Sequence, residues 1–429
     1  MALWYRSHQL TATSTQINKA DYVYNPVGNR TNLTDRRGNQ AFGYDQLARL
    51  TSASHPLLLD PQAFAYDAVG NRTTGGSVVN TGNQLTADAN FAYQYDDNGN
   101  LTRKTLLATG NYSQYTYDAE NRLTQVQEFA AGNPTAITIS SYRYDGLGRR
   151  IENVANGQTK RYIYDGEDIL LEYDGANVLQ ARYTHGPGID EPIAVTKGTS
   201  TLFYHQDGLG TVTELTDSSG NIAKAYAYDA YGNMLDSPGT VEQPYTYTGR
   251  EFDAESGLVY SRARYYDAAT GRFLEKDPIG FSGGDINLYN YAFNSPLLYT
   301  DPYGLEVQVC RQPALGFLPV HHQWIKTDTL ERGMGGTRGN VAGNESGDWP
   351  GDPVQITDHS GRSHEPGASC KAVDNVDENK VNELLELGRP LGRWTPGNQC
   401  QSFVGDVLKK SRNSPGASGK WEGGATGNW

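Results

Sequence analysis

Through residues 1–250 apolar and polar positions alternate with period two, in short runs broken by Gly, Asn and Asp. In Tyr142-Arg143-Tyr144 an aromatic run enters Asp145, a glycine follows at Gly148, and a second alternating run departs. Glycine supplies the positive φ of a tight turn, and the aromatic and β-branched residues around it suit a pleated, half-buried surface. Copies start at Tyr24, Tyr44, Tyr66, Tyr95, Tyr117, Tyr144, Tyr164 and Tyr228, the first seven spaced by 20, 22, 29, 22, 27 and 20 residues. Several continue into Leu-Thr, as in Gly99-Asn100-Leu101-Thr102. Each unit reads as a β-hairpin that cannot bury its face alone, so neighbours must pair into one sheet. Helix-period stretches are absent from this region.

The pattern changes after residue 305. Helical spacing runs through Glu378, Val381, Leu384, Leu385 and Leu387 and stops at Gly388 and Pro390. A second helix is expected from Asn398 through Phe403, Val404, Val407 and Leu408, with Lys409, Lys410 and Arg412 in its last turn. Strands are expected over Val320–Lys326 and Pro353–Asp358, and a loop from Gly333 to Gly351.

Composition marks the same border. All 29 tyrosines lie at or before Tyr303, while the three cysteines and five of the six tryptophans lie after it. The net charge of −13 argues against nucleic acid as an electrostatic partner, although residues 306–429 carry only −2 of it. Cys310, Cys370 and Cys400 are too few for a disulfide framework, but one bridge beside a free thiol fits. No apolar run reaches the roughly 18 residues of a membrane span, and Met1–Arg6 opens no signal peptide. The chain is therefore expected to be made in the cytoplasm and exported without a cleaved signal.

At the border stand Asp277-Pro278-Ile279-Gly280 and Asp301-Pro302-Tyr303-Gly304. Two carboxylates brought together can share a proton, so that one activates water while the other polarises a carbonyl. The alternative is a pair of Pro-Gly turns.

The Tyr-Asp units resemble those of Rhs proteins, Tyr204-His205-Gln206-Asp207-Gly208-Leu209-Gly210-Thr211 resembles that family's pre-core motif, and Arg262–Leu305 resembles the Rhs-associated core. The resemblance implies a mainly β chain. A YD-repeat shell over 1–250, a partial cocoon, is followed by a core over 251–305 and a small α+β toxin over 306–429. It further implies an aspartyl-protease-like centre at Asp277 and Asp301, with Arg272 as the group that orients or charge-balances the pair. Cleavage is then expected between Leu305 and Glu306.

Within the last region Cys400 stands in the first turn of a helix, where the dipole favours a thiolate. A histidine must hold the proton: His322 or His321, oriented by His359 or Asp358. Asn398-Gln399-Cys400-Gln401-Ser402-Phe403-Val404, with His321-His322-Gln323-Trp324-Ile325 before it, is similar to the circularly permuted papain-fold group that includes NlpC-like amidases. The expected toxin is thus a Cys-His peptidase or amidase without cofactor or metal, acting on a peptide or peptidoglycan-like substrate and not on nucleic acid. Its expected partners are a cognate immunity protein and a secretion spike or chaperone. The alternatives are a metal-dependent nuclease using His321 and His322 with His359, His364 and Asp358, and a non-enzymatic tip that binds carbohydrate or a spike.

Overall fold

The computed structural model describes residues 17–283, 285–302, 304, 308–313, 321–326, 331–336, 353–358, 369–372, 381, 384–385, 390–393 and 400–411. The alternating runs form antiparallel strands that pair in chain order. Asp21–Tyr24, Arg30–Asp35, Gly38–Tyr44, Leu50–Ala53 and Gln62–Ala63 make a five-stranded sheet. Fifteen further strands, from Val78–Val79 to Ile222–Ala225, follow one another in unbroken order. A hairpin of Ala227–Tyr228 and Met234–Asp236 comes next, then a four-stranded sheet from Glu251–Asp253 to Arg272–Phe273.

The Tyr-Asp unit accounts for its own geometry. In the copy at Asp145 the carboxylate accepts the N–H groups of Leu147 (2.9 Å) and Arg149 (3.0 Å), and its backbone carbonyl accepts Gly148 N–H at 3.1 Å. Gly148 has φ +82°. The remaining carboxylate oxygen takes Arg149 Nε at 2.8 Å. The next strand then carries a bulge. Thr116 pairs with Gln125 and Tyr117 with Leu123, so Thr124 is the extra residue, and its hydroxyl donates to Thr116 O at 2.9 Å. Thr31, Thr102 and Thr213 repeat this bulge and its hydroxyl bond. The tyrosine of the following unit reaches back to the residue ahead of the bulge: Tyr117 Oη donates to Leu101 O (2.8 Å), Tyr144 Oη to Leu123 O (2.6 Å) and Tyr164 Oη to Arg150 O (2.8 Å). These units therefore satisfy a carbonyl of their predecessors, which is why the hairpins require one another.

One face of this sheet is the core. Leu101, Tyr115, Leu123, Val126 and Tyr142 pack against Leu258, Tyr260 and Tyr265 of the four-stranded sheet and against Leu274 just after it. Arg150, 1% exposed, crosses the same junction. It pairs with Glu251 at 2.6 Å and with Asp253, donates to Tyr265 Oη at 3.1 Å, and lies 4.5 Å from the Tyr260 ring centroid.

Residues 187–189, 309–369 and 373–429 form a second compact unit. In it the expected strands are present as His321–Lys326 and Pro353–Asp358. Glu331–Gly336 is also a strand where a loop was expected from Gly333, because Arg332–Gly336 pair with Val354–Asp358 and the ladder offsets the poor strand preference of glycine. The second expected helix spans Cys400–Ser411 and lies against His321–Lys326 and Glu331–Gly336, with Phe403, Val404 and Val407 buried. Of the first expected helix, Val381 and Leu384 are helical and most other positions lie outside the described residues. Among the described residues no helix is long and apolar enough to cross a membrane.

Candidate functional site: a carboxylate pair at the shell's end

Strand Arg264–Asp267 is buried along its whole length. Arg264, with its side chain 3% exposed, stacks its guanidinium 3.7 Å from the Phe273 ring centroid and donates through Nη1 to Leu288 O at 3.1 Å. Its Nη2 stands 3.1 Å from Asp277 Oδ2 and 3.1 Å from Asp301 Oδ2. The two carboxylate oxygens are thus no further apart than twice that distance, although 24 residues separate them in the chain.

Each aspartate is held from its backbone as well. Asp277 N–H donates to Leu288 O (2.8 Å), Asp277 O accepts Gly280 N–H (2.9 Å), and Asp277 Oδ1 accepts Ile279 N–H (2.9 Å). The first Asp-Pro-x-Gly is therefore a turn and a contributor to the pair at once. The backbone of Asp301 hydrogen-bonds the buried Tyr291 hydroxyl. Arg262 Nη1 donates to Pro302 O. Gly304, at φ +67°, lies so close to the preceding hairpin that a Cβ there would stand 2.8 Å from Ser261 O.

Arg272 is placed elsewhere. Its guanidinium donates to Asn71 Oδ1 (3.1 Å) and Asn83 O, tying an early repeat to the core motif, and the arginine at the carboxylates is Arg264. The reason is the strand period: Arg272 belongs to Arg272–Phe273, which pairs Asp267↔Arg272 at the far end of Arg264–Asp267. The available signal was an arginine inside the aromatic run Arg264-Tyr265-Tyr266. Leu305, Glu306 and His359 lie outside the described residues, as do the side chains of Cys400, His321 and His322. The backbone does bring the Cys400 helix and the His321–Lys326 strand together.

Near Arg264 is Glu275, 3% exposed, whose Oε2 accepts Tyr265 N–H at 3.0 Å while Oε1 has no partner. Burial pushes its carboxyl up from 4.5 to about 8, against the opposing pull of the Tyr265 N–H and of Arg264. The folded protein then keeps a proton that the unfolded chain releases above about 4.5. Its contribution to stability is present below that pH and is lost on rising to about 8, at about 1.4 kcal/mol per pH unit. Urea midpoints measured across that range are expected to fall with pH in the wild type and to fall less steeply in Glu275→Gln. Parallel profiles would contradict the assignment.

The sequence profile of the Teneurin YD-shell family matches residues 7–297. The chain belongs to this family. Three curated relatives are similar to the YD-shell chain. The tRNA3(Ser)-specific nuclease WapA of Bacillus spizizenii is 36% identical over 260 residues, 56% of this chain and 11% of that protein. Double-stranded DNA deaminase toxin A of Burkholderia cenocepacia is 31% identical over 325 residues, 66% of this chain and 22% of that protein. Toxin protein Tse5 of Pseudomonas aeruginosa is 30% identical over 356 residues, covering 66% and 27%. The YD-shell chain thus spans between about a tenth and a quarter of the length of these relatives.

Two of these names describe action on nucleic acid, which runs against the expected peptide substrate and the exclusion of nucleic acid. The exclusion rested on a charge averaged over the chain, most of which belongs to the shell. An active site on nucleic acid needs only a local cationic surface.

Proposed function

We propose that this chain is part of a YD-shell toxin, which cuts itself between Leu305 and Glu306 and so frees the segment beginning at Glu306 as an enzyme acting on nucleic acid. The observation that carries the first step is the Arg264 guanidinium holding Asp277 and Asp301 together just ahead of the change in composition.

In the cut, a water attacks the Leu305 carbonyl carbon while one aspartate, as carboxylate, takes its proton. The other, as carboxylic acid, polarises the carbonyl and then gives its proton to the Glu306 nitrogen as the C–N bond breaks. The products are a Leu305 carboxylate and a Glu306 amine. Arg264 favours the ionised form of the base and limits the repulsion between the pair.

The nucleic-acid step is supported by what the relatives are named for, a tRNA nuclease and a DNA deaminase among them. The second reading, a Cys-His hydrolase, is favoured by the packing of the Cys400 helix on the His321–Lys326 strand. A cognate immunity protein and a secretion spike accompany either reading. The two separate on induced expression of the full chain in bacteria, followed by gel analysis of tRNA and DNA integrity and sequencing for base conversion. Nucleic-acid damage that persists in Cys400→Ala is expected. Toxicity without nucleic-acid change that disappears in Cys400→Ala would replace the first reading with the second.

A further inference from the structure

Arg262 occupies a two-residue turn. Ser261 pairs with Arg264 across it, and Arg262 itself has φ +50°. That position of a tight hairpin favours Gly, Asn or Asp, because a side chain with a Cβ is strained there. A long cationic residue held in such a conformation points to work done by its side chain.

The side chain is 10% exposed and spans two parts of the shell. Nη2 donates to Asp190 Oδ1 at 3.0 Å, and Nη1 donates to the carbonyl of Pro302, the residue after Asp301. Asp190 is 7% exposed, also sits at positive φ (+55°), and takes Arg250 Nη1 on the same oxygen at 2.5 Å. Gln206 Nε2 donates to its backbone carbonyl at 3.0 Å, and that carbonyl lies where a Cβ on Gly249 would come within 2.5 Å. The anchor is fixed from several sides before Arg262 uses it. Two arginines at alternate positions of one hairpin therefore hold consecutive residues of the departing segment: Arg264 the Asp301 carboxylate, Arg262 the Pro302 carbonyl.

We infer that Arg262, anchored by Asp190, is a positioning residue for self-cleavage: it fixes the course of the chain after Asp301 and so delivers the Leu305–Glu306 peptide to the carboxylate pair. The inference rests on the self-cleavage reading above. Arg262 takes no part in proton transfer. Its loss removes alignment, for which a displacement of about 1 Å costs on the order of a hundredfold in rate.

The test is the rate at which freshly synthesised full-length chain is cut, followed by intact mass, for the wild type, Arg262→Gly, Arg262→Lys, Asp190→Asn and Arg262→Gly/Asp190→Asn. Arg262→Gly relieves the strained turn, so its thermal midpoint is expected to equal or exceed that of the wild type while cutting slows by about ten- to a hundredfold. Arg262→Lys recovers part of the rate, Asp190→Asn is slowed in the same sense, and the double variant is no slower than Arg262→Gly. The pH profile of the residual rate keeps its shape, because the carboxylates are untouched. Cutting by Arg262→Gly at the wild-type rate overturns this inference alone. A wild-type chain that stays whole, or that Asp301→Asn still cuts, overturns the self-cleavage reading and this inference with it.

Discussion

Replacing Arg150 by Met is expected to lower the stability of the shell by about 3–5 kcal/mol. Arg150 is 1% exposed, and its partners Glu251 and Asp253 have side chains 4% exposed. Two carboxylates would be left in a space that also holds the Tyr142, Tyr260 and Tyr265 rings. Burial already raises the Asp253 carboxyl to about 6 with the arginine present. The loss is large against the roughly 5–15 kcal/mol by which whole domains are stable. It reaches beyond the ion pairs, because the guanidinium also donates to Tyr265 Oη at 3.1 Å. Urea unfolding followed by circular dichroism measures it. Adding Glu251→Gln and Asp253→Asn to Arg150→Met should restore much of the loss, since the penalty comes from uncompensated charge. An unchanged midpoint in the single variant would mean that this junction does not hold the shell together.

The second large effect is expected at the carboxylate pair. Asp277→Asn or Asp301→Asn keeps the shape of the side chain and removes either the base or the acid. Self-cleavage should fall by at least about a thousandfold, in line with the loss of an essential proton-transfer group. The two substitutions together should do no more than either alone, because the pair acts as a unit. Folding should survive both. The amide oxygen at either position can still accept from Arg264 Nη2, while in Asp277→Asn the oxygen that accepts Ile279 N–H is lost, a local cost of about 1 kcal/mol.

Much of this fold is legible in the sequence because the repeat is local. Asp145 bonds to the N–H groups two and four residues on, Gly148 has the φ its turn requires, and Thr124 bonds within its own hairpin. Period-two alternation then determines which face is buried. The candidate site was legible only in part. Asp277 and Asp301 stand out through the repeated Asp-Pro-x-Gly, but the arginine between them depends on strand register. Arg272, nearer Asp277 in sequence, is directed to Asn71 and Asn83, whereas Arg264 on the neighbouring strand meets both aspartates. Glu275 carried no motif at all. Its raised carboxyl follows from burial, which one strand's sequence does not reveal. The last region is the reverse case: a cysteine at a helix start suggested a thiol enzyme, whereas two of the relatives are named for action on nucleic acid.

The most direct measurement of the central claim is the intact mass of the purified 429-residue chain and of Asp301→Asn, with sequencing of any new amino terminus. The account predicts two wild-type products, one ending at Leu305 and one beginning at Glu306, and an uncut Asp301→Asn chain of about 47.0 kDa. A wild type that remains at full mass, or fragments of the same size from both proteins, would contradict it.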